Sequence, residues 1–201
     1  MTPPRPTLIA DAAIDLIADR GLRGLTHRAV DEESGLPAGS TSNLARTRAA
    51  LLELVLKRIL ERETADQPAY TEGVRLPPGA PARELLVEIG ADGLYQALTT
   101  GRRLTLARLE LALEATRRPE LRAVYDRLGA GFTDLAAVLL AHAGSTDPTA
   151  DARRLIRWCD GLLFNSTAGS GHWYVPTPEE LRDEVAAYVA ALLARGAGPG
   201  R

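Results

Sequence analysis

Leu25-Thr26-His27-Arg28-Ala29-Val30-Asp31-Glu32-Glu33-Ser34-Gly35-Leu36-Pro37-Ala38-Gly39-Ser40-Thr41-Ser42-Asn43-Leu44 reads as two short helices around a tight turn. Thr26 has the chemistry of an N-cap, a side-chain oxygen that accepts from an amide of the first helical turn, and a helix-forming run follows it. Gly35 stands where a chain leaving a helix adopts positive φ, and Leu36-Pro37 opens a second helix expected to begin near Ala38. That spacing is a helix-turn-helix. At about 100° per residue the second helix puts Thr41 and Leu44 on one side and Gly39 and Asn43 on the other, with Ser40 and Ser42 flanking the outer side. An outward face of small and polar groups suits a helix that enters a major groove about 12 Å wide. Taken alone the stretch also fits a helical hairpin with a solvated polar face, so the flanking sequence bears on the choice.

Residues 1–6, with three prolines, read as a flexible arm. A first helix over 7–19 repeats Leu8, Ala12 and Leu16 beside Ile9, Ala13 and Ile17, and ends at Arg20-Gly21. Beyond the helix-turn-helix, Thr47 caps a fourth helix whose stripe is Leu51, Leu52, Leu54, Val55 and Ile59, running to about residue 63. Four prolines and two glycines mark 65–81 as a loop between structural units. Helical patterns resume over 82–100, 103–117, 119–142, 149–168 and 178–195, and residues 196–201 look frayed. No β alternation of useful length occurs, so the expected fold is all-α, about nine helices in all. A three-helix domain holding the helix-turn-helix is expected over 1–63, with a larger helical domain over 64–201.

On 103–117, leucines cover most of the helix surface with Arg108 among them, so that helix is expected to be nearly surrounded, while Glu110, Glu114, Arg117 and Arg118 share one sector. On 149–168, Leu155, Trp158, Cys159, Leu162 and Leu163 form one apolar face; Gly161, Phe164 and Ala168 form another, near Arg157. A helix apolar on two sides wants two partners. With Leu181, Val185, Tyr188, Val189, Leu192 and Leu193 of the last helix, two copies could build a four-helix bundle across a twofold axis.

The chain has 201 residues, 45% of them hydrophobic, enough for a full core, and a formal net charge of −2. Nucleic-acid binding must therefore come from a local patch. Between Arg20 and Arg48 five arginines face Asp31, Glu32 and Glu33, a surplus of +2 that holds DNA weakly in a single copy. One cysteine, Cys159, excludes an internal disulfide and a multi-thiolate metal site. No signal-peptide core and no segment approaching ~20 apolar residues is present, which points to a cytoplasmic protein without a membrane partner. His27, His142 and His172 have no metal-spaced partners, Glu110 and Glu114 read as a solvated pair matched by Arg117 and Arg118, and Gly169-Ser170-Gly171 lacks the strand of a nucleophile turn. No catalytic residue, metal or cofactor is expected.

With the helix-turn-helix behind one N-terminal helix and ahead of a long fourth one, the sequence resembles the TetR family of bacterial transcriptional regulators. Thr26, Gly35, Gly39, Arg48 and Leu51 stand at places of that family's signature, and the motif covers about residues 7–60. Three positions depart from it: Ser42 where a phosphate-touching Tyr is usual, Ala45 where a Phe usually packs, and Asp31 where a small Ala lets two helices approach. Leu44 is a candidate to fill the volume missing at Ala45. Asp31 either accepts from the amides opening the third helix or pairs with an arginine. The resemblance implies a homodimer on a near-palindromic double-stranded operator, a third helix in each of two major grooves one turn apart, and a C-terminal domain that binds a small-molecule effector and releases DNA; such a protein is nucleoid-associated when bound. A regulator without an effector and a helical small-molecule carrier that no longer binds DNA are the alternatives.

Each candidate role has a plainer counterpart. Thr26 is a candidate for a phosphate contact, with the cap alone as its counterpart; Arg28 and Arg48, each opening a helix, are candidates for phosphate or else solvated arginines. Asn43 is the best base reader because its amide can bind adenine at two places, Ser40 and Ser42 suit phosphate or water-bridged contacts, and Ala38 suits a thymine methyl. Arg5, on the arm, is a candidate for the minor groove. Arg108, Tyr125, Phe132, Trp158 and Leu162 are the candidates for an effector pocket, with core packing and a structural carboxylate for Arg108 as the counterpart. Gly129 and Gly131 within a helix suggest close packing or a bend. The expected dimer interface comprises Phe164, Ala168, Tyr188, Val189 and Leu193.

Overall fold

A computed structural model describes residues 3–65, 79 and 81–196. Among them are nine helices: α1 (Arg5–Gly24), α2 (His27–Glu33), α3 (Ser40–Leu44), α4 (Arg48–Thr64), α5 (Ala82–Leu98), α6 (Arg102–Ala115), α7 (Pro119–His142), α8 (Pro148–Thr167) and α9 (Pro178–Gly196). The all-α expectation holds. No helix among the described residues is long and apolar enough to cross a membrane. Most of the loop expected over 65–81, the first two residues of the arm and the frayed end from 197 onward lie outside the described residues.

The chain divides into two compact units, residues 1–66 with 101–128, and residues 67–100 with 129–201. The first unit is wider than the 1–63 domain read from sequence. Its core joins Ile9, Ile14 and Ile17 of α1 with Val30, Leu51, Leu52, Val55 and Ile59, and also with Leu104, Ala107 and Leu111 of α6. α1 packs against α2, α4 and α6 at once, which is why it buries seven residues where a surface helix would bury one stripe. Arginines tie its flanks. Arg58 grips Asp11 with Nε and Nη2 at 2.8 and 3.1 Å, and Arg103 reaches Asp15 and Asp19, each at 2.7 Å. The Asp19 and Asp15 carboxylates hold the Arg103 guanidinium above its ordinary pKa.

Two local expectations are corrected here. The arm is shorter: α1 begins at Arg5 behind Pro4, and Pro6 sits in its first turn. A proline there gives up an N–H that would have no helical partner anyway. Arg5 is therefore a first-turn helical residue and not part of a loose arm. The helical geometry of α1 breaks at Gly21, whose φ of 64° and ψ of −179° are not helical, where the sequence places the end of the helix, and a separate turn runs on to Gly24. α6 is not nearly surrounded, since Leu113 is 61% exposed while Leu104, Ala107, Leu111 and Ala115 face the core.

The second unit packs α5, the later part of α7, α8 and α9 around Leu94, Leu98, Leu139, Leu140, Leu155, Leu181, Val185 and Val189. α8 opens on Pro148, with the Asp147 carboxylate accepting from the Ala150 amide at 3.2 Å. A Cβ built on Gly129 or Gly131 meets nothing within 4 Å, so close packing does not account for these glycines.

Candidate nucleic-acid interface

The turn between α2 and α3 follows from local chemistry. The Thr26 hydroxyl oxygen accepts from the Ala29 amide at 3.1 Å, the cap read from sequence. At the other end of α2 the Gly35 amide donates to the Glu32 carbonyl and the Leu36 amide to the Asp31 carbonyl. This is a Schellman ending, and it needs the left-handed φ of 66° that Gly35 adopts. α3 then starts at Ser40 and not near Ala38. Its N-cap is Gly39, also left-handed at φ 89°, which has no side chain to satisfy the amides of the first turn.

Asp31 supplies what Gly39 lacks. Its Oδ2 accepts from the Gly39 amide at 2.7 Å, and its Oδ1 from the Thr41 amide at 2.8 Å and the Thr41 hydroxyl at 2.6 Å. Of the two roles open from sequence, acceptance from the amides of the third helix is the one the structure shows. Burial at 5% exposure would push the carboxyl pKa up, but the Thr41 hydroxyl, the Thr41 and Gly39 amides and the neighbouring His27 outweigh it and hold the group below its ordinary value. His27 lies four residues before Asp31 on the same face of α2, and its Nε2 is 2.7 Å from the Ala45 carbonyl. Because a carbonyl only accepts, Nε2 carries the proton. One face of α2 therefore fixes α3 at both ends.

Held this way, α3 turns Ser42, Asn43 and Leu44 outward and buries Thr41. Leu44 is exposed and does not fill the volume missing at Ala45, which is itself buried. Ala38 is exposed; Ser40 is half-buried, with its hydroxyl donating to the Pro37 carbonyl at 2.6 Å. Thr26 is exposed on the same segment. Arg28 points to solvent and pairs with Glu32 at 2.8 Å, an exposed contact that salt screens and that a phosphate could displace. Arg46, also exposed, lies just past Ala45, the C-cap of α3; the sequence pattern favours the helix-opening Arg48 over it.

Arg48 is engaged inside the protein. Its Nη1 donates to the Leu25 carbonyl at 2.8 Å and its Nη2 to the Leu22 carbonyl at 2.6 Å. These are the carbonyls leading from α1 into α2, so the guanidinium joins α4 to the entry of the helix-turn-helix. Arg48→Ala is expected to lower stability by about 1–2 kcal/mol in denaturant titration, because two charge-assisted bonds are lost at a half-buried site. Unchanged stability would refute this tie.

The residues expected at an effector pocket divide between the units. In the first, Arg108 Nε lies 3.5 Å from Glu63 Oε1, and the Arg122 guanidinium carbon stands 4.7 Å from the centre of the Tyr125 ring. In the second, Phe132 is half-buried and Leu162 packs on the core. Trp158 stacks on Tyr188 with centroids 5.1 Å apart and planes at 14°. One candidate for the pocket and one for the dimer interface thus cover each other within a single chain. Val189 is at 0% exposure in the same core and Leu193 packs beside it, which leaves Val189 nothing to offer a second copy. Phe164, 53% exposed, and Ala168 do face outward. On α9 the exposed side includes Ala187, Ala191 and Ala194, which share a face at helical spacing. Sequence reading favoured larger apolar residues and so missed these alanines.

Residues 81–195 match the family model described as "Tetracyclin repressor-like, C-terminal domain". Among solved structures the chain is similar to a transcriptional regulator from Rhodococcus sp. Rha1, at 20% identity over 97% of this chain and 99% of that one, with a TM-score of 0.77. That likeness bears on the fold alone. It is also similar to a member of the TetR family from Streptomyces coelicolor A3, at 31% identity over 92% and 98% of the two chains and a TM-score of 0.68. The multidrug binding protein EbrR complexed with ethidium is 30% identical over 92% and 98%, with a TM-score of 0.64. No curated protein sequence matches the chain.

Proposed function

The chain belongs to the TetR family of transcriptional regulators, and from that premise we propose that it is a repressor that binds a near-palindromic operator as a homodimer and is released by a small molecule. The observation that carries the DNA half of the reading is the α3 surface: Ser42 and Asn43 face outward from a helix whose two ends are bonded to α2. Thr26, Arg28, Ala38, Ser40 and Arg46 would supply backbone and methyl contacts around it. Arg48 would act through the carbonyls it holds. A second copy doubles the weak local charge surplus and spaces two α3 helices for successive major grooves. Such a repressor works in the bacterial cytoplasm, on the nucleoid when bound.

The dimer in this reading pairs the outward side of α8, with Phe164 and Ala168, against the alanine side of α9 in a four-helix bundle. For the effector, Phe132, Trp158 and Leu162, all within the second unit, are the candidate contacts. EbrR, with ethidium bound, supports screening planar and apolar compounds first. A hit should raise the melting temperature and weaken operator binding together, since a ligand that favours the DNA-free form must do both.

Asn43→Ala tests the docking. With the duplex upstream of the protein's own gene at moderate salt, the variant should lose about 1–3 kcal/mol of discrimination at one adenine in each half-site while its melting temperature stays unchanged. Binding equal to wild type at every substituted base would sink the proposed docking.

A further inference from the structure

A cleft of about 470 Å³ opens within the first unit, between the end of α1, the start of α4 and the end of α6. Arg20, Arg23, Arg48, Arg117 and Arg118 line it against Glu110 and Glu114, leaving three positive charges in excess. None of the residues expected at an effector pocket lines it. Glu114 is spent: Arg118 Nε donates to one of its oxygens and Arg117 Nη2 lies 3.6 Å from the other. One carboxylate thus answers two guanidinium groups. Arg48 is fixed by two carbonyls, which orient its fork without cancelling its charge. Arg23 and Arg20 are exposed, and Asp19, a carboxylate that feels the charge of Arg20, is already gripped by Arg103. The one carboxylate left to oppose an incoming anion is Glu110, whose oxygen stands 3.8 Å from where a Gly21 Cβ would be.

We propose that this cleft binds a small multivalent oxyanion, a phosphorylated or polycarboxylate compound of about the size of pyrophosphate or citrate. The volume falls within the usual range of about 300–1,000 Å³ for small-molecule sites. Five arginines lining one concave surface offer planar forks that match the paired oxygens of phosphate and carboxylate. An occupant would sit against Arg48 and Leu22, where α1 hands over to the helix-turn-helix. Binding therefore bears on the segment that positions α2, whether or not DNA is the protein's partner.

The test is calorimetric titration of the full chain with pyrophosphate and, separately, with citrate, at constant ionic strength. A saturable isotherm with one site per chain is expected. Arg23→Gln with Arg117→Gln, both at exposed positions, should weaken it at least about tenfold, as loss of two of five cations requires. Arg153→Gln with Arg195→Gln, outside the cleft, should leave it unchanged. Glu110→Gln should tighten it several-fold, because the carboxylate that opposes the anion inside the cleft is gone. Equal losses in both double variants, no saturation, or no gain from Glu110→Gln would each overturn the proposal. So would a cleft variant that weakened binding of a short duplex while the wild type took up neither anion, because the arginines would then serve the DNA backbone.

Discussion

Asp31→Ala is expected to lower the free energy of unfolding by about 3–4 kcal/mol, among the largest losses available from one side chain in the first unit. Three bonds to a charged acceptor disappear, each worth about 1.5–3 kcal/mol and not fully additive. Thr41, at 0% exposure, has no route to water for the amide and hydroxyl left behind. Gly39 has no side chain with which to replace the cap. Denaturant titration of the variant measures the loss. A cycle with Thr41→Val should show coupling of at least about 1 kcal/mol, since valine keeps the shape and the amide but removes the hydroxyl. A loss below about 1 kcal/mol would refute the carboxylate cap.

The same group predicts a pH dependence. Its folded pKa is below the ordinary value of 3.8, so its stabilisation is complete above that value and is lost as pH falls through the lower folded one. Other carboxyls held low, Glu53 and Glu114 among them, steepen the acid limb too. The difference between wild type and Asp31→Asn isolates the contribution of Asp31. That difference should be flat above about pH 5 and shrink below pH 4. A difference that grew on acidification would contradict the lowered pKa.

How far the sequence could be read depended on how local the deciding interaction is. Thr26 and Thr47 cap helices three residues away, and Gly35 ends one with bonds confined to its own turn, so the residue types alone are enough. Asp31 reaches eight and ten residues ahead, and only the angle between α2 and α3 chooses between amides and an arginine. α3 starts later than the sequence suggests for a related reason: a bare glycine cap is legible only when the acceptor that replaces its side chain is known. Arg48 looked like a surface cation because nothing in its neighbourhood announces the carbonyls 23 and 26 positions back. The leucine pattern of α6 identified a helix needing partners. It could not say that α1 would be one, or that Leu113 would face water. Periodicity records how much surface must be buried, not which surface buries it.

That ambiguity is sharpest at the dimer interface, where two substitutions should part company. Val189→Asp places a carboxylate where exposure is 0%, among Leu181, Val185 and Leu192. A charge without a partner in such a place costs more than about 4 kcal/mol, so the second unit should lose its cooperative melting whatever the oligomeric state. Phe164→Asp, at a side chain already 53% exposed, should leave helicity and melting of the isolated chain nearly unchanged. If α8 and α9 pair between copies, however, two carboxylates face an apolar seam across the twofold axis, and sedimentation should show monomers. Val189 and Phe164 are both apolar residues on amphipathic helices, so a sequence pattern treats them alike; burial within one chain separates them. A folded, fully cooperative Val189→Asp protein would refute the core assignment, and a Phe164→Asp protein that stayed dimeric would move the interface off α8.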